Sequence, residues 1–189
     1  MRFAIQGGPG SFSAEAGGRY ADDNDLTLEL DYRYTSENVL TAVEEGSVEQ
    51  GLIAIENATG GVVYESIEAL AEHRCRILHF LNILVVHALL VRPGTSIDTI
   101  ECIISHPQAL KQCEDTLATR FADIPTEVGK GEAVDQATAA KQLAEGKLPA
   151  TTAVLASRVC ADLYNLEIVA ENLQDIEENY TTFLVVESL

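Results

Sequence analysis

Positive charge is what this chain has least of. Against 30 Asp and Glu residues stand 12 Lys and Arg, for a formal net charge of -18 at pH 7. That deficit excludes the long-range attraction on which binding to nucleic-acid phosphates or anionic lipid depends. It also requires any anionic ligand to find a locally positive pocket. Cysteine is sparse: Cys75, Cys102, Cys113 and Cys160 form no CxxC pair and no short metal-like spacing with His73, His79, His87 or His106. Reduced, buried thiols and no metal site are expected. Long apolar runs are missing too. The stretch from Ile77 to Val91 is shorter than the ~20 residues of a membrane span and contains His79, Asn82 and His87. Two adjoining buried strands fit it better. Met1-Arg2-Phe3-Ala4-Ile5 runs at once into glycines, with no apolar region long enough for a signal peptide, and a cytoplasmic location is expected. Low-complexity segments, long linkers and short-period repeats are also lacking.

What is present is an alternation of strands and helices. Phe3 to Gln6 reads as a short strand opening into Gly7-Gly8-Pro9-Gly10, after which Ser11 or Ser13 can cap a helix through Ala14 to Tyr20. Ser36 precedes a helical pattern with Val39, Leu40 and Val43 on one face, ending near Gly46. Gly51 to Ile55 is then a buried strand that delivers Glu56-Asn57 to a loop. In the second half, Ile100 to Ile104 is strand-like, Ser105-His106-Pro107 turns, and Gln108 to Arg120 is helical, with Pro107 suited to the first helical position. A helix over Glu132 to Ala144 ends at Gly146 and feeds the strand Thr152 to Leu155, which delivers Ala156-Ser157 to another helix. This grammar predicts an α/β fold with mostly parallel sheets. The 189 residues divide into a lobe of about 1–76 plus 165–189 and a second of about 77–164, sharing a central cleft. Loops at the carboxyl ends of parallel strands converge on a crevice, and these loops carry Ser11, Asn57, Ser105 and Ser157.

Several of these loops carry groups that can do chemistry. Gly7 to Ser13 offers free backbone N–H groups and hydroxyls at a helix start, a natural carboxylate or phosphate site. It lacks the lysine of a P-loop and the spacing of a dinucleotide fingerprint. Glu56 can act as an acid or base, or simply brace its loop, and the glycines Gly60 and Gly61 permit close backbone approach to a ligand. Ser105 to Cys113 supplies hydroxyl, imidazole and amide donors at a helix N-terminus. Neighbouring residues in an extended turn point apart, so a Ser105–His106 nucleophile pair is disfavoured and His106 reads as a hydrogen-bonding wall.

Gly7 to Ser13, Ile55-Glu56-Asn57-Ala58, Ser105-His106-Pro107-Gln108-Ala109-Leu110-Lys111-Gln112-Cys113, Asp135 to Ala140, Ala156-Ser157 with Tyr164-Asn165-Leu166, and Asn179-Tyr180-Thr181-Thr182-Phe183 occur in one order and spacing. Together they resemble the prephenate dehydratase family over nearly the whole chain, and the long serine–histidine motif is the most specific of them. The resemblance implies a two-lobed fold similar to the type II periplasmic binding proteins. It implies a lyase that takes prephenate, or a similar carboxylate, to phenylpyruvate with loss of carbon dioxide and water and no cofactor. It makes Thr181 the catalytic donor to the departing hydroxyl, a preorganised hydrogen-bond donor. It assigns substrate contact to Ser11, Glu56, Asn57, Ser105, His106, Gln108, Ser157 and Asn179, with Phe183 positioning or packing that segment. Ser157 can equally cap its helix. Homodimers are common among such proteins, and the chain ends where many members continue into a regulatory ACT domain.

Three positions depart from the pattern. Thr182 stands in place of an arginine, Ala58 in place of a serine, and Phe80 where a glutamate is frequent. Loss of the arginine removes a charge-assisted hydrogen bond worth roughly 1.5–3 kcal/mol, with Lys111, Arg158 and helix N-termini as possible sources of compensating potential. Restoring it by Thr182→Arg is expected to tighten substrate binding. The altered positions leave a prephenate decarboxylase, with a non-aromatic dihydro product, and a non-catalytic small-anion-binding protein as the competing readings.

Overall fold

The computed structural model describes residues 1–189. In chain order the elements are β1 (Arg2–Ile5), α1 (Phe12–Asp23), β2 (Glu29–Tyr32), α2 (Ser36–Glu44), β3 (Gln50–Asn57), β4 (Gly61–Val62), α3 (Tyr64–Glu72), β5 (Cys75–Leu84) and β6 (His87–Val91). They continue with β7 (Cys102–Ser105), α4 (Pro107–Gln112), α5 (Glu114–Arg120), β8 (Thr126–Val128), α6 (Gln136–Ala144), β9 (Thr152–Ser157), α7 (Val159–Tyr164), β10 (Glu167–Ala170) and β11 (Tyr180–Ser188). No helix is long and apolar enough to cross a membrane.

The chain forms two compact units, Met1–Val85 with Glu178–Leu189, and Val86–Glu177. The boundaries differ from those read from the sequence because two strands belong elsewhere. Strand β5 pairs along its length with β11 and so stays with the first unit, whereas β10 pairs with β6 and stays with the second.

The first unit is a sheet of order β2-β1-β3-β11-β5, with β4 beside β3. Strand β1 runs parallel to β2 and β3, while β11 runs antiparallel to β3 and β5. Alternation along each strand sends side chains to opposite faces. On one face Phe3, Ile5, Leu52, Phe183 and Val185 pack against Ala16 and Tyr20 of α1, with Phe3 and Tyr20 stacked at 5.6 Å between ring centroids. On the other, Ala4, Ile53, Leu184 and Val186 pack against α2 and α3 through Val39, Leu40, Val43 and Ala69. Gly51 sits where α2 presses closest: a Cβ there would lie 2.6 Å from Val39 Cγ1. The cap of α2 is Thr35, whose side chain accepts from Asn38 N; Ser36 lies inside the helix, its hydroxyl 2.6 Å from that of Ser66.

The second unit is a sheet of order β10-β6-β9-β7-β8. Here β7 is parallel to β8 and β9, and β6 is antiparallel to β9 and β10. Both sheets are therefore mixed rather than mostly parallel, because β11, β5, β6 and β10 return against the βαβ units. One face packs on Ala137, Ala140, Leu143 and Cys160 of α6 and α7, the other on Ala109 of α4, Leu117 of α5 and Phe121 just after α5. The expected single helix from Gln108 to Arg120 is broken at Cys113. Asp175 causes the break: its carboxylate accepts from Asp115 N at 3.0 Å and Thr116 N at 2.8 Å, restarting the helix. Its own N–H donates to Gln112 O at 2.7 Å. The expectation of two buried strands over Ile77 to Val91 holds for β6, all five residues of which are buried, but most of β5 is exposed.

Candidate functional site

In the first unit the carboxyl ends of β1 and β3 and the start of β11 fall at one edge of the sheet, because β11 is antiparallel to β3 with Thr181 opposite Asn57. A bulge decides what faces what. Thr182 pairs with Glu56 and Phe183 with Ala54, so Ile55 is the extra residue in β3. One extra residue inverts the alternation beyond it. Asn57, not Glu56, therefore shares the α1 face with Thr181, and Glu56 turns to the opposite face beside Thr182.

Asn57 organises this edge. Its Oδ1 accepts from Gly60 N at 2.8 Å, Thr59 N at 3.1 Å and Thr59 Oγ1 at 2.8 Å. Two of these donors are backbone N–H groups, which fixes the orientation of the amide. Its Nδ2 then faces the other way and donates to Asn179 Oδ1 and Thr181 Oγ1, both at 2.9 Å. Thr181 Oγ1 is thereby an acceptor toward Asn57, and its own O–H is left to donate elsewhere. Asn179 is fully buried, and its Nδ2 has no acceptor within the protein.

Ser11 is the N-cap of α1, on the same sheet face as Thr181, and its hydroxyl accepts from Ala14 N at 3.2 Å. Gly7 makes the preceding turn possible, with φ of +93° and no room for a Cβ, which would lie 2.8 Å from Ser11 Oγ. Phe183 is 2% exposed within the α1-side core, so it packs the segment and offers no ligand surface. Thr182 lies on the face opposite Thr181 and donates to Asn82 Oδ1 at 2.9 Å. An arginine at position 182 would thus project on the face of Glu56 rather than alongside Thr181.

The second unit has its own polar edge. The carboxyl ends of β7 and β9 meet the start of β6 there, with His87 opposite Ser157. His106 and Gln108 are accessible at the start of α4, where His106 Nδ1 accepts from Gln108 N at 3.2 Å. Ser105 is buried, and its hydroxyl donates to Leu155 O at 2.6 Å, stapling β7 to β9. It makes no nucleophile pair with His106. Ser157 Oγ is also buried and accepts from Val159 N at 3.2 Å, the capping alternative. Lys111 is exposed, and Arg158 pairs with Glu171 at 3.4 Å.

His87 is the residue that motif reading passed over. Almost fully buried, it sits 2.8 Å from Gln112 Oε1 through Nε2, and its N–H donates to Gln174 Oε1 at 3.2 Å. Burial holds its pKa below the ordinary imidazole value, against the Gln112 bond, which favours the charged form. Its only sequence signal was a histidine heading an apolar strand. The buried thiols of Cys113 and Cys160 are pushed up to about 12 by burial, whereas Cys75 and Cys102 are partly exposed. A hollow of about 480 Å³, lined by Leu110, Lys111, Leu117, Phe121 and Ile124, includes none of Ser11, Asn57, Thr181, His87, Ser105, His106 or Ser157.

A family model described as prephenate dehydratase matches residues 3–189. The chain is 35% identical to arogenate dehydratase 1 of Petunia hybrida over 187 residues, covering 98% of this chain and 42% of that protein. It thus spans less than half the length of that curated relative. Among solved structures, a prephenate dehydratase from Arthrobacter aurescens in complex with L-Phe superimposes with a TM-score of 0.87 at 22% identity, covering 100% of this chain and 61% of that one. A structure titled as a novel type of quorum-quenching acylase, GqqA, gives a TM-score of 0.79 at 27% identity, with 100% and 64% covered.

Proposed function

Because the chain belongs to the prephenate dehydratase family, we propose that it is a lyase converting prephenate to phenylpyruvate, the step that leads toward phenylalanine. The ring carboxylate departs as carbon dioxide, and the pair from that C–C bond moves through the diene. The opposite C–O bond breaks, and the leaving hydroxide takes up a proton to become water. Gain of aromaticity drives the electrons, so the protein has to orient the ring, hold the side-chain carboxylate and stabilise negative charge growing on one oxygen.

The observation that carries this reading is the Asn57 amide. Pinned by the backbone N–H groups of Thr59 and Gly60, it donates to Thr181 Oγ1 and so presets the threonine O–H as a donor. A threonine hydroxyl is a weak acid. Its contribution is a preorganised hydrogen bond to charge that develops only in the transition state, of a kind worth ~10²–10³ in kcat. Ser11 with the N-terminus of α1 supplies positive potential at the same edge. In the second unit, His106 and Gln108 are accessible at the start of α4. Asn57 and Asn179 act on Thr181 as its supports, and the buried Ser105, Ser157 and Phe183 hold the framework. A cytoplasmic location and a homodimer belong to the same reading.

Arogenate is the second substrate to test, favoured by the name of the Petunia relative. It differs in carrying an amine where prephenate has a ketone. Acyl transfer is disfavoured, since the serine of the serine–histidine motif is buried and donates to a backbone carbonyl. The test is incubation with prephenate and, separately, arogenate, with ultraviolet and mass identification of products. Phenylpyruvate or phenylalanine supports dehydration, a dihydro product that keeps its hydroxyl supports decarboxylation alone, and tight binding without turnover supports a binding protein.

A further inference from the structure

A carboxylate bound at the carboxyl edge of the first sheet has to be held without a cation. The first unit contains no lysine and five arginines, each of them engaged or remote from that edge. Arg2, Arg74 and Arg76 lie at the amino ends of β1 and β5, and Arg19, far along α1, pairs with Asp23 at 3.7 Å. Arg33 follows β2 at the right end but turns away. Leu30 and Tyr32 pack on the α1 side, so alternation sends Asp31 and Arg33 to the other face, where Arg33 Nη2 sits 2.7 Å from Asp31 Oδ2. Neutral donors are what remain. We propose that Tyr34 is one of them, its phenol O–H donating to the side-chain carboxylate of the substrate, an assignment that rests on the lyase reading above.

The backbone is bent to put that side chain where it is. Strand β2 runs parallel to β1, so the residues after it emerge at the same edge as Gly7 to Ser11. Tyr34 has φ of +64°, a region that a bulky side chain enters only under constraint. Thr35 N donates to Arg33 O at 2.8 Å, closing a γ-turn around Tyr34, and the positive-φ form of that turn is rare and strained. Both flanks are pinned: Arg33 N donates to Ile5 O at 2.9 Å, Asn38 Nδ2 donates to Arg33 O at 3.1 Å, and Thr35 caps α2. Strain that the surroundings over-determine in this way clusters at ligand sites. Its product here is an aromatic ring, 60% exposed, laid along the glycine turn. A Cβ on Gly8 would stand 3.3 Å from Tyr34 Cε1 and 3.7 Å from its hydroxyl oxygen. Tyr34 also lies close enough to Tyr32, whose ring packs on the α1 side, to add to the rise in pKa that burial gives that phenol. The Tyr34 hydroxyl thus sits three residues before Ser11, beside the face that carries Thr181.

Chemistry selects which carboxylate Tyr34 takes. The ring carboxylate of prephenate leaves as carbon dioxide, and a hydrogen bond to it would hold charge that the transition state disperses, stabilising the ground state and slowing the step. The side-chain carboxylate carries the same charge in substrate, transition state and product. A hydroxyl at the exposed rim of the glycine turn suits that constant charge. The bond then contributes uniform binding, which is read in KM and not in kcat.

Tyr34→Phe removes the hydroxyl and keeps the ring, and the test is its kinetics with prephenate beside titration calorimetry with phenylpyruvate, which retains only the side-chain carboxylate. KM for prephenate is expected to rise about tenfold, as for loss of a hydrogen bond to a charged group, with kcat unchanged and the Kd of phenylpyruvate raised by the same factor. Tyr34→Gly accepts the positive φ without strain, so it is expected to melt no lower than the unaltered protein while binding phenylpyruvate at least as weakly as Tyr34→Phe. Equal KM and Kd in Tyr34→Phe and the unaltered protein overturn the proposal and leave the lyase reading standing if phenylpyruvate is formed. A loss with prephenate alone also overturns it, since the contact would then be to the ring carboxylate, as does a fall in kcat with KM unchanged. If the unaltered protein forms no phenylpyruvate, the lyase reading fails and the calorimetry still decides: a tenfold weaker Kd in Tyr34→Phe supports the carboxylate contact, and no binding by the unaltered protein overturns it.

Discussion

Asn57→Asp tests the chemistry at its narrowest point, since it exchanges one NH₂ for an oxygen and changes little else. The acceptor side survives: Thr59 N, Thr59 Oγ1 and Gly60 N still find a carboxylate oxygen. The donor side does not. Two hydrogen bonds of 2.9 Å, to Asn179 Oδ1 and Thr181 Oγ1, lose their proton, and a carboxylate oxygen is set against a fully buried amide oxygen. At ~0.5–1.5 kcal/mol for each bond, the loss is about 1–3 kcal/mol. For a protein of this size each kcal/mol moves Tm by ~2–4 °C, so melting should fall by roughly 2–12 °C while folding is retained. Turnover should fall further than stability suggests. Thr181 relieves the clash by turning its O–H toward the new carboxylate, and that proton is then unavailable to the leaving hydroxyl. Removing one preorganised donor of this kind costs ~10²–10³ in kcat, with a smaller change in KM. The assay is phenylpyruvate formation from prephenate, beside a thermal melt. If the variant melts low yet keeps the kcat of the unaltered protein, Thr181 is not the donor and Asn57 is structural only.

Three further outcomes follow from the same geometry. Thr181→Val keeps the shape without the hydroxyl and should lose ~10²–10³ in kcat with its fold intact by circular dichroism, whereas Thr181→Ser should keep much of the activity; equal rates for the two would refute the donor role. Thr182→Arg should pair across the strands with Glu56 and add ~0.2–1 kcal/mol of stability that salt screens, leaving KM alone; a tighter KM would mean that position 182 reaches the substrate after all. The histidines oppose each other in pH. His87, its pKa lowered by burial, contributes stability that is full above the unfolded value of about 6.5 and is lost as pH falls through the folded value. His73, raised by its hydrogen bonds to Glu37 and Glu44, contributes fully below that unfolded value and loses its share as pH rises through the folded one. His73→Gln should therefore abolish the gain in urea midpoint that His73 contributes as pH falls from its raised folded value toward about 6.5, and curves parallel to those of the unaltered protein across that window would refute the assignment.

Much of the framework was legible in local pattern. The glycine turn and serine cap before α1 are written in seven consecutive residues, and the cap forms as Ser11 predicts. Strand ends, helix starts and motif order pointed to Asn57 and Thr181, which the structure joins by a hydrogen bond. The errors lie where a distant residue intervenes. Nothing near Cys113 in the chain marks a helix break, because the carboxylate that causes it comes from Asp175. Apolar β5 looked buried because hydrophobicity alone does not say whether a strand is central or at an edge. Ser105 and Ser157 looked like ligands because a hydroxyl at a strand end does not announce that it is already satisfied by a carbonyl or a helix N–H.

The sequence by itself determined the family, the α/β class and the local turns and caps, since these depend on spacings of a few residues that the chain carries with it. Tertiary structure decided which side chains meet. The Asn57–Asn179 bond joins residues 122 apart, and the bulge at Ile55 appears only when β11 lies against β3. A shift of one residue inverts the faces of a strand. It is this inversion that puts Asn57 rather than Glu56 beside Thr181 and leaves Thr182 on the far face.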